Sequence, residues 1–299
     1  NGRSRGLGDV YKRQILSDSV GFNRVAELCD TFGPRLSGSD NLEKAILWII
    51  QEMKKDGIEN VRSEEVMVPK WVRGEESAKM VKPWSKNLAM LGLGGSIGTK
   101  SYGITAKVIS VSSFEELANR SNEVKGKIVL FNVPFNTYSN TVKYRVRGAI
   151  EASKHGAVAS LVRSVGTFSM NTPHTGNSSY EDGVKKIPHA AITIEDAAMI
   201  GRILENGQDV EVNLKMEAQN YPDVLSHNVV GEIIGSEFPD QVIVIGGHID
   251  SWDVGQGDHD DAGGCIGAWR GVTLIKELGL RPRRRLRVVI WTNEVNVSR

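Results

Sequence analysis

The chain has 299 residues, which is enough for one large domain or two ordinary ones. Hydrophobic residues make up 40% of it and charged residues 24%, a composition typical of soluble globular proteins rather than disordered or membrane proteins. No apolar run approaches the roughly 18 residues that a membrane-spanning helix requires. A formal net charge of +1 gives no overall reason to expect nucleic acid or a membrane surface as a partner.

Residues 1–14 show neither helical nor strand periodicity. The stretch Asp9–Gln14 resembles a translated transposon end of the kind found in sequencing libraries. We therefore expect residues 1–14 to be non-native or disordered, and we exclude them from the predicted fold. Missing sequence upstream would also account for the absence of a visible signal peptide.

Residues 15–72 are predicted to form two helices and a strand. The first helix ends at Gly33, which a proline follows. The second begins near Asp40, carries apolar residues at helical spacing and stops at Gly57. Residues 61–68 then alternate weakly between apolar and polar, as an exposed edge strand does.

Residues 73–222 have a different pattern, in which short apolar runs alternate with short helical stretches and frequent turn residues. This pattern predicts a separate strand-rich domain inserted into the first one. The apolar runs are Ile104–Val111, Ile128–Phe131, Ala157–Val162, Ala190–Ile194 and Val210–Met216.

Residues 223–299 follow the order strand, strand, helix, strand. The predicted elements are strands at Asn228–Ile234, Val242–Ile245 and Arg285–Thr292 and a helix at Gly263–Leu278. Such alternation predicts a doubly wound α/β core. Together with residues 15–72 it would form one domain, interrupted by the insertion. The last strand is of the buried parallel type that needs a neighbour on each side, and none follows it in the sequence.

The glycine-rich stretch Gly246–Gly264 carries the clearest chemical signal, because it follows a strand and opens into a helix. The carboxyl end of a strand in an open α/β sheet is where ligands bind. His248 supplies an imidazole nitrogen there, and Asp250 is spaced to hold the other ring N–H. Asp260 adds a carboxylate whose two oxygens can bridge two cations. These residues predict a divalent metal site.

Other side chains that could bind a metal have more ordinary explanations. Cys29 and Cys265 lie on apolar stripes and are expected to be buried thiols without a disulfide. Four further histidines lie in loops or at element ends, where surface or capping roles are expected; these are His155, His174, His189 and His227.

A family resemblance covers residues 15–294. The glycine-rich stretch, followed by Trp291-Thr292 and Glu294, is similar to the pattern of the bridged di-zinc exopeptidases. Further matching stretches are Thr31–Ser39, Asn41–Ala45, Arg73–Ala78, Leu91–Gly94, Gly126–Val129, Pro173–Gly176 and Gly279–Pro282. Residues 73–222 resemble a protease-associated domain.

This resemblance implies a zinc-dependent exopeptidase of carboxypeptidase or dipeptidase type that acts on short peptides. His248 matches a ligand of one zinc ion, and Asp260 matches the carboxylate that bridges both ions. Asp250 matches the aspartate that supports the histidine, and Glu294 matches the general base. The peptide bond between Asp260 and Asp261 is expected to be cis.

The resemblance further implies a possible homodimer and a place outside the cell, in the secretory pathway or in the lysosome. Two acceptor sequences for N-glycosylation, at Asn119 and Asn177, mildly favour the secretory pathway.

The chain departs from the family pattern after Glu294. Val295 stands where the family has a second glutamate that binds zinc, and valine cannot coordinate a metal. We expect residues after Glu294 to be non-native and the C-terminal part of the peptidase domain to be missing. A chain with only two of the family's metal ligands would bind zinc weakly and hydrolyse nothing. The alternatives are a non-catalytic protein of the same fold and a related di-zinc aminopeptidase.

Overall fold

The computed structural model describes residue 12 and residues 16–296. The expectation for residues 1–14 therefore lies outside the described residues, apart from Lys12. The described residues divide into two compact units. Unit 1 contains the residues up to Lys70 together with Asp223–Val295, and unit 2 contains Trp71–Pro222 together with residue 296.

The helices are α1 Val20–Phe32, α2 Asp40–Lys55, α3 Phe114–Asn119, α4 Tyr138–Lys154, α5 Ile194–Glu205 and α6 Gly263–Glu277, with a 3₁₀ turn at Ser121–Glu123 and a π-helical turn at Asp258–Ala262. The strands are β1 Glu59–Val72, β2 Glu76–Lys82, β3 Lys86–Leu88, β4 Met90–Gly92, β5 Ile104–Val111, β6 Ile128–Phe131, β7 Ala159–Arg163, β8 His189–Ile192, β9 Glu211–Met216, β10 Gln219–Ile233, β11 Phe238–His248 and β12 Arg284–Trp291.

The first two helices end where the sequence predicts, and the second also begins there. Gly33 follows α1 with φ of 63°, a conformation that glycine adopts without strain. Ser39 caps α2, and its side chain accepts a hydrogen bond from the backbone N–H of Leu42. Acidic residues in the first turn of α2 and lysines in its last turn complement the helix dipole.

The sheet of unit 1 has four strands in the order β1-β10-β12-β11. Strand β12 pairs parallel with β11 and antiparallel with β10, so the sheet is mixed. Strand β12 therefore has a neighbour on each side, and both neighbours precede it in the sequence. Among the described residues β11 has a single neighbour, because β10 pairs with β12 rather than with β11.

Helices α1, α2 and α6 pack with this sheet around one apolar core. Leu28, Ile49, Trp269 and Ile290 are almost completely buried in it. Both cysteines are free and buried, as the sequence predicts.

Unit 2 is built on an eight-stranded sheet in the order β3-β2-β9-β5-β6-β7-β8-β4. Its central strands β5, β6, β7 and β8 are parallel. Strands β6 and β8 are buried along their whole length, which agrees with the four apolar residues of β6 and with the apolar residues that follow His189 in β8.

One expectation for unit 2 was wrong. His189, expected at the surface or in a cap, is fully buried at the start of β8. Its ring nitrogens lie 3.2 Å from the Ser160 carbonyl oxygen and 2.8 Å from the Arg145 carbonyl oxygen. Two nearby carbonyl acceptors let the imidazole remain in the core, because one hydrogen bond satisfies its N–H group.

The predicted α/β class is confirmed, with helices packed on sheets in each unit. Across the described residues, no helix combines the length and the apolar character needed to cross a membrane.

Candidate functional site

The site is formed where two neighbouring parallel strands of unit 1 end. His248 closes β11 and pairs in register with Trp291, which closes β12. The loops that follow the two strands therefore leave the sheet at the same edge. This arrangement brings Asp250 from one loop next to Glu294 from the other, although 44 positions separate them.

His248 has a different environment at each ring nitrogen. Its Nδ1 lies 3.0 Å from the backbone carbonyl oxygen of Asp250 and 3.2 Å from the Asp250 carboxylate. Its Nε2 lies 3.0 Å from Asp260 Oδ1 and 3.7 Å from Glu294 Oε2. A proton held at Nδ1 by Asp250 leaves the Nε2 lone pair directed toward two carboxylates, which is the arrangement of a metal-binding histidine.

The Asp250 carboxylate is completely buried and connects the two loops. It accepts hydrogen bonds from the backbone N–H groups of Glu294, at 3.0 Å, and Val295, at 3.1 Å. It also accepts one from the hydroxyl of Ser37 at 3.2 Å. Asp250 therefore orients the His248 ring and fixes the backbone that carries Glu294.

Asp260 lies in the irregular π-helical turn before α6, and its side chain is 75% exposed. The Asp260–Asp261 peptide bond is cis, as the resemblance implies. Asp261 accepts hydrogen bonds from the backbone N–H groups of His248, at 3.2 Å, and Gly264, at 3.1 Å. It thereby ties the end of β11 to the start of α6.

The glycines of this loop leave room for Asp261. A Cβ atom at Gly264 would lie 2.1 Å from Asp261 Oδ1, and one at Gly247 would lie 2.4 Å from Asp261 Oδ2. At Gly246 a Cβ atom would lie 1.8 Å from the carbonyl oxygen of Val289 in the adjacent strand. The glycine-rich composition of the stretch is therefore a packing requirement of the site.

The charges around His248 favour its protonated form when no cation is present. Burial disfavours the charged ring, but the hydrogen bonds and negative charge of Asp250, with a contribution from Glu294, raise the pKa of His248 to about 9. Asp260 and Glu294 remain largely open to solvent on the other side of the ring. An acidic, accessible position therefore exists beside Nε2, where a cation would compete with a proton.

Sequence reasoning missed two residues of the site. Ser37 was noted only within a matching stretch, and 213 positions separate it from Asp250, so no local spacing connects them. Asp261 was named only for its peptide bond with Asp260, yet its side chain accepts two backbone hydrogen bonds. Its position between an aspartate and the Ala-Gly-Gly step was the available signal, because glycines beside a carboxylate allow close backbone approach.

The side chains present fit a divalent metal only in part. His248 Nε2 and the Asp260 carboxylate offer suitable donors, and Glu294 lies beside them. In the part of the chain that the structure describes, no group of three or more His, Cys, Asp or Glu side chains is arranged to hold a metal ion. Val295 is buried and contributes no donor side chain.

Comparisons with known proteins identify relatives of this chain. Residues 228–296 match peptidase family M28. The chain is 55% identical to human carboxypeptidase Q over 293 residues, which cover 96% of this chain and 62% of that protein. It thus spans about three fifths of the length of this curated relative.

Solved structures show the same fold. The crystal structure of the peptidase M28 precursor from Shewanella amazonensis superposes with a TM-score of 0.90 at 32% identity, covering 97% of this chain and 67% of that one. A zinc aminopeptidase from Bacillus subtilis gives a TM-score of 0.67 at 20% identity, covering 90% of this chain and 60% of that one. The second similarity shows the fold alone. From the identity to carboxypeptidase Q and the match to the Shewanella structure, the chain belongs to peptidase family M28.

Proposed function

We propose that this chain supplies His248, Asp260 and Glu294 to the centre of a zinc-dependent exopeptidase of carboxypeptidase or dipeptidase type. The convergence of Asp260 and Glu294 on the Nε2 side of His248 supports this, because Asp250 holds the opposite side of the ring. The high identity to proteins named carboxypeptidase Q supports the carboxypeptidase type.

His248 and Asp260 are the residues that would hold zinc, through the imidazole Nε2 and the carboxylate beside it. Bound zinc would supply an activated water and polarise the scissile carbonyl of a short peptide. Asp250 would keep a proton on Nδ1, so that the proton displaced by a bound cation is the one on Nε2. The Glu294 carboxylate would accept the water's proton and pass it to the leaving amine nitrogen.

The Asp250 carboxylate gives Glu294 a fixed place for this transfer. Its hydrogen bonds to two consecutive N–H groups set the backbone of Glu294 and leave the side chain 66% exposed. A general base must reach both the water and the leaving group, so an accessible carboxylate on a fixed backbone suits the role.

We also propose that the 299-residue chain by itself binds zinc weakly and turns over no dipeptide. Zinc sites in proteins are four-coordinate, and the catalytic ones use three protein ligands. The described residues offer two, and Val295 stands at a position where the family pattern has a glutamate. Dipeptide hydrolysis by the purified chain would refute this proposal.

Competition with a chromophoric chelator would test the metal site in the chain as it stands. We expect His248→Ala and Asp260→Asn to weaken zinc binding at least tenfold, which corresponds to about 1.4 kcal/mol. Glu294→Gln should leave zinc affinity within about threefold, because its proposed role is proton transfer rather than coordination. If all three variants bound zinc with the same affinity as the wild-type chain, the proposed metal site would be rejected.

A chimera would test the catalytic role directly. In it, this chain replaces the matching 62% of human carboxypeptidase Q. With Val295→Glu also introduced, we expect zinc-dependent hydrolysis of dipeptides that Glu294→Gln lowers by about a hundredfold or more, the usual range for a general base. Substrates with free and amidated C-termini would separate a carboxypeptidase from the related aminopeptidase.

A non-catalytic protein of the same fold is the second candidate, favoured by the buried Val295. A comparison of the chimera that retains Val295 with the one that carries Val295→Glu distinguishes the two. A non-catalytic protein predicts no zinc-dependent hydrolysis even after Val295→Glu, whereas the peptidase proposal predicts that this change restores it.

The proposed location is outside the cell, in the secretory pathway or in the lysosome. Asn119 is exposed at the end of α3 and is accessible to a glycan, whereas the side-chain oxygen of Asn177 is buried. After expression through a secretory pathway, glycosidase treatment should lower the apparent mass of the wild-type chain but not of Asn119→Gln.

A further inference from the structure

Arg35 is an arginine in the interior of unit 1, with no exposed surface. Among the described residues, no carboxylate forms an ion pair with it. Burial lowers the pKa of Arg35, opposed by the nearby thiols of Cys29 and Cys265. A buried guanidinium without a carboxylate partner is costly, so its hydrogen bonds must provide the compensation.

Three hydrogen bonds connect Arg35 to the residues on either side of Asp250. Its Nε donates to the carbonyl oxygen of Ile249 at 3.0 Å. Its backbone N–H donates to Ser251 Oγ at 2.9 Å, and its backbone carbonyl accepts from the N–H of Ser251 at 3.0 Å. Arg35 therefore holds the backbone of the loop immediately before and immediately after the Asp250 carboxylate.

The guanidinium is itself held in place by its own chain segment. Its Nη1 donates to the carbonyl oxygen of Gly33 at 2.7 Å, where φ of 63° turns the backbone after α1. Two residues after Arg35, the Ser37 hydroxyl lies 3.2 Å from Asp250 Oδ2 and 2.7 Å from the side-chain oxygen of Asn293. The segment from Gly33 to Ser37 thus contacts both loops of the site from the buried side.

We infer that Arg35 is a positioning residue, which fixes the loop of Asp250 so that His248 and Glu294 keep the geometry of the proposed zinc site. This rests on the proposed function. Asp250 orients His248 Nδ1 and accepts the N–H of Glu294, so a shift of its backbone moves both groups together. A displacement of about half an ångström in residues that support metal ligands is enough to weaken metal binding.

Substitutions of Arg35 in the 299-residue chain test this, with Arg270 as a matched control. Arg270 is also a buried arginine of unit 1, but its partners are Asp18 and Glu277 rather than site residues. We expect Arg35→Met to weaken zinc binding at least tenfold and to speed amide exchange of Ser251 at least tenfold. Arg35→Lys should retain part of both, because an ammonium can reach one carbonyl oxygen but lacks the planar fork.

The ring nitrogen NMR signals of His248, measured without metal, separate positioning from general destabilisation. Arg35→Met should shift them, whereas Arg270→Met should lower the melting temperature and leave them unchanged. The inference would be overturned if a folded Arg35→Met chain kept the wild-type zinc affinity, the wild-type rate of Ser251 amide exchange and the wild-type His248 signals. If that variant does not fold, Arg35→Lys and Ser251→Ala decide by the same measurements. Ser251→Ala removes the acceptor for the Arg35 N–H, together with the hydroxyl's own hydrogen bonds to the carbonyl oxygens of Trp252 and Gly255.

A failure of the proposed function would look different. In that case the wild-type chain would bind no zinc, yet Ser251 exchange and the His248 signals would still report whether Arg35 positions the loop.

Discussion

The two units bury polar side chains in different ways. In unit 1, Arg35 and Ser37 donate hydrogen bonds to the loop that carries Asp250. Through His248, this buried group leads to the exposed carboxylates of Asp260 and Glu294. In unit 2 His189 is buried instead against the backbone carbonyl oxygens of Ser160 and Arg145. Buried polar groups that lead to an accessible acidic position indicate a site, whereas those that satisfy one another inside a sheet indicate core structure.

The largest effect is expected from Asp250→Ala in unit 1. It would leave the part-buried N–H of Glu294 and the buried N–H of Val295 without their acceptor, and the loss of a buried acceptor costs about 1–3 kcal/mol. We expect unit 1 to lose at least about 3 kcal/mol. A urea titration in which amide NMR signals of each unit are followed separately would measure it.

Asp250→Asn is the matched control for this change. It keeps the size and one acceptor oxygen, so its loss should be smaller. A loss below about 1 kcal/mol for Asp250→Ala, or an equal loss in unit 2, would remove the contrast between the units.

The second effect concerns His189 and the stability of unit 2 at mildly acid pH. Burial, only partly offset by the carbonyl groups of Ser160 and Arg145, lowers the pKa of His189 to about 4. The unfolded chain, with a pKa of about 6.5, binds a proton that the folded one does not. The stability that this neutral ring provides is therefore complete above pH 6.5 and decreases as the pH falls toward 4.

Between pH 7 and pH 5 this linkage amounts to about 2 kcal/mol. The same urea titration at both pH values, on wild type and His189→Gln, should show a pH dependence that is smaller in the variant by that amount. Other titrating groups cancel in the difference. An identical pH dependence in both proteins would show that His189 is not held neutral by its surroundings.

The third effect is a comparison of two glycines of α6. A Cβ atom at Gly264 would meet Asp261 at 2.1 Å, whereas one at Gly267 would meet no atom within 4 Å. We expect Gly264→Ala to destabilise unit 1 by about 1–3 kcal/mol through overpacking and to weaken zinc binding. Gly267→Ala should stabilise it by about 0.5–1 kcal/mol, because alanine favours a helix. Stabilisation by both changes would mean that Asp261 has no packing role in the site.

Much of the fold could be predicted from the sequence. Helices α1, α2 and α6 and strands β5, β6 and β12 lie close to their predicted positions, because each has a clear apolar period and terminal turn residues. Strand pairing could not be predicted in this way. The antiparallel position of β10 beside β12 depends on contacts between residues about sixty positions apart, such as Val229 and Ile290.

The site shows the same division. His248, Asp250 and Asp260 were found because they share one glycine-rich loop, and Glu294 because the resemblance supplied it. Arg35 and Ser37 carry no local sign of their contacts with Ile249 and Asp250, since more than 200 positions lie between them.

The sequence by itself determined the class of fold, the bounds of several helices and strands, and the loop in which metal-binding chemistry is possible. Those features follow from local periodicity, turn residues and the residue types within one segment. Only the tertiary structure decided that Asp250 joins His248 to the backbone of Glu294, and that a buried arginine holds that loop. Such contacts depend on which strands become neighbours, and long-range packing rather than local preference sets that choice.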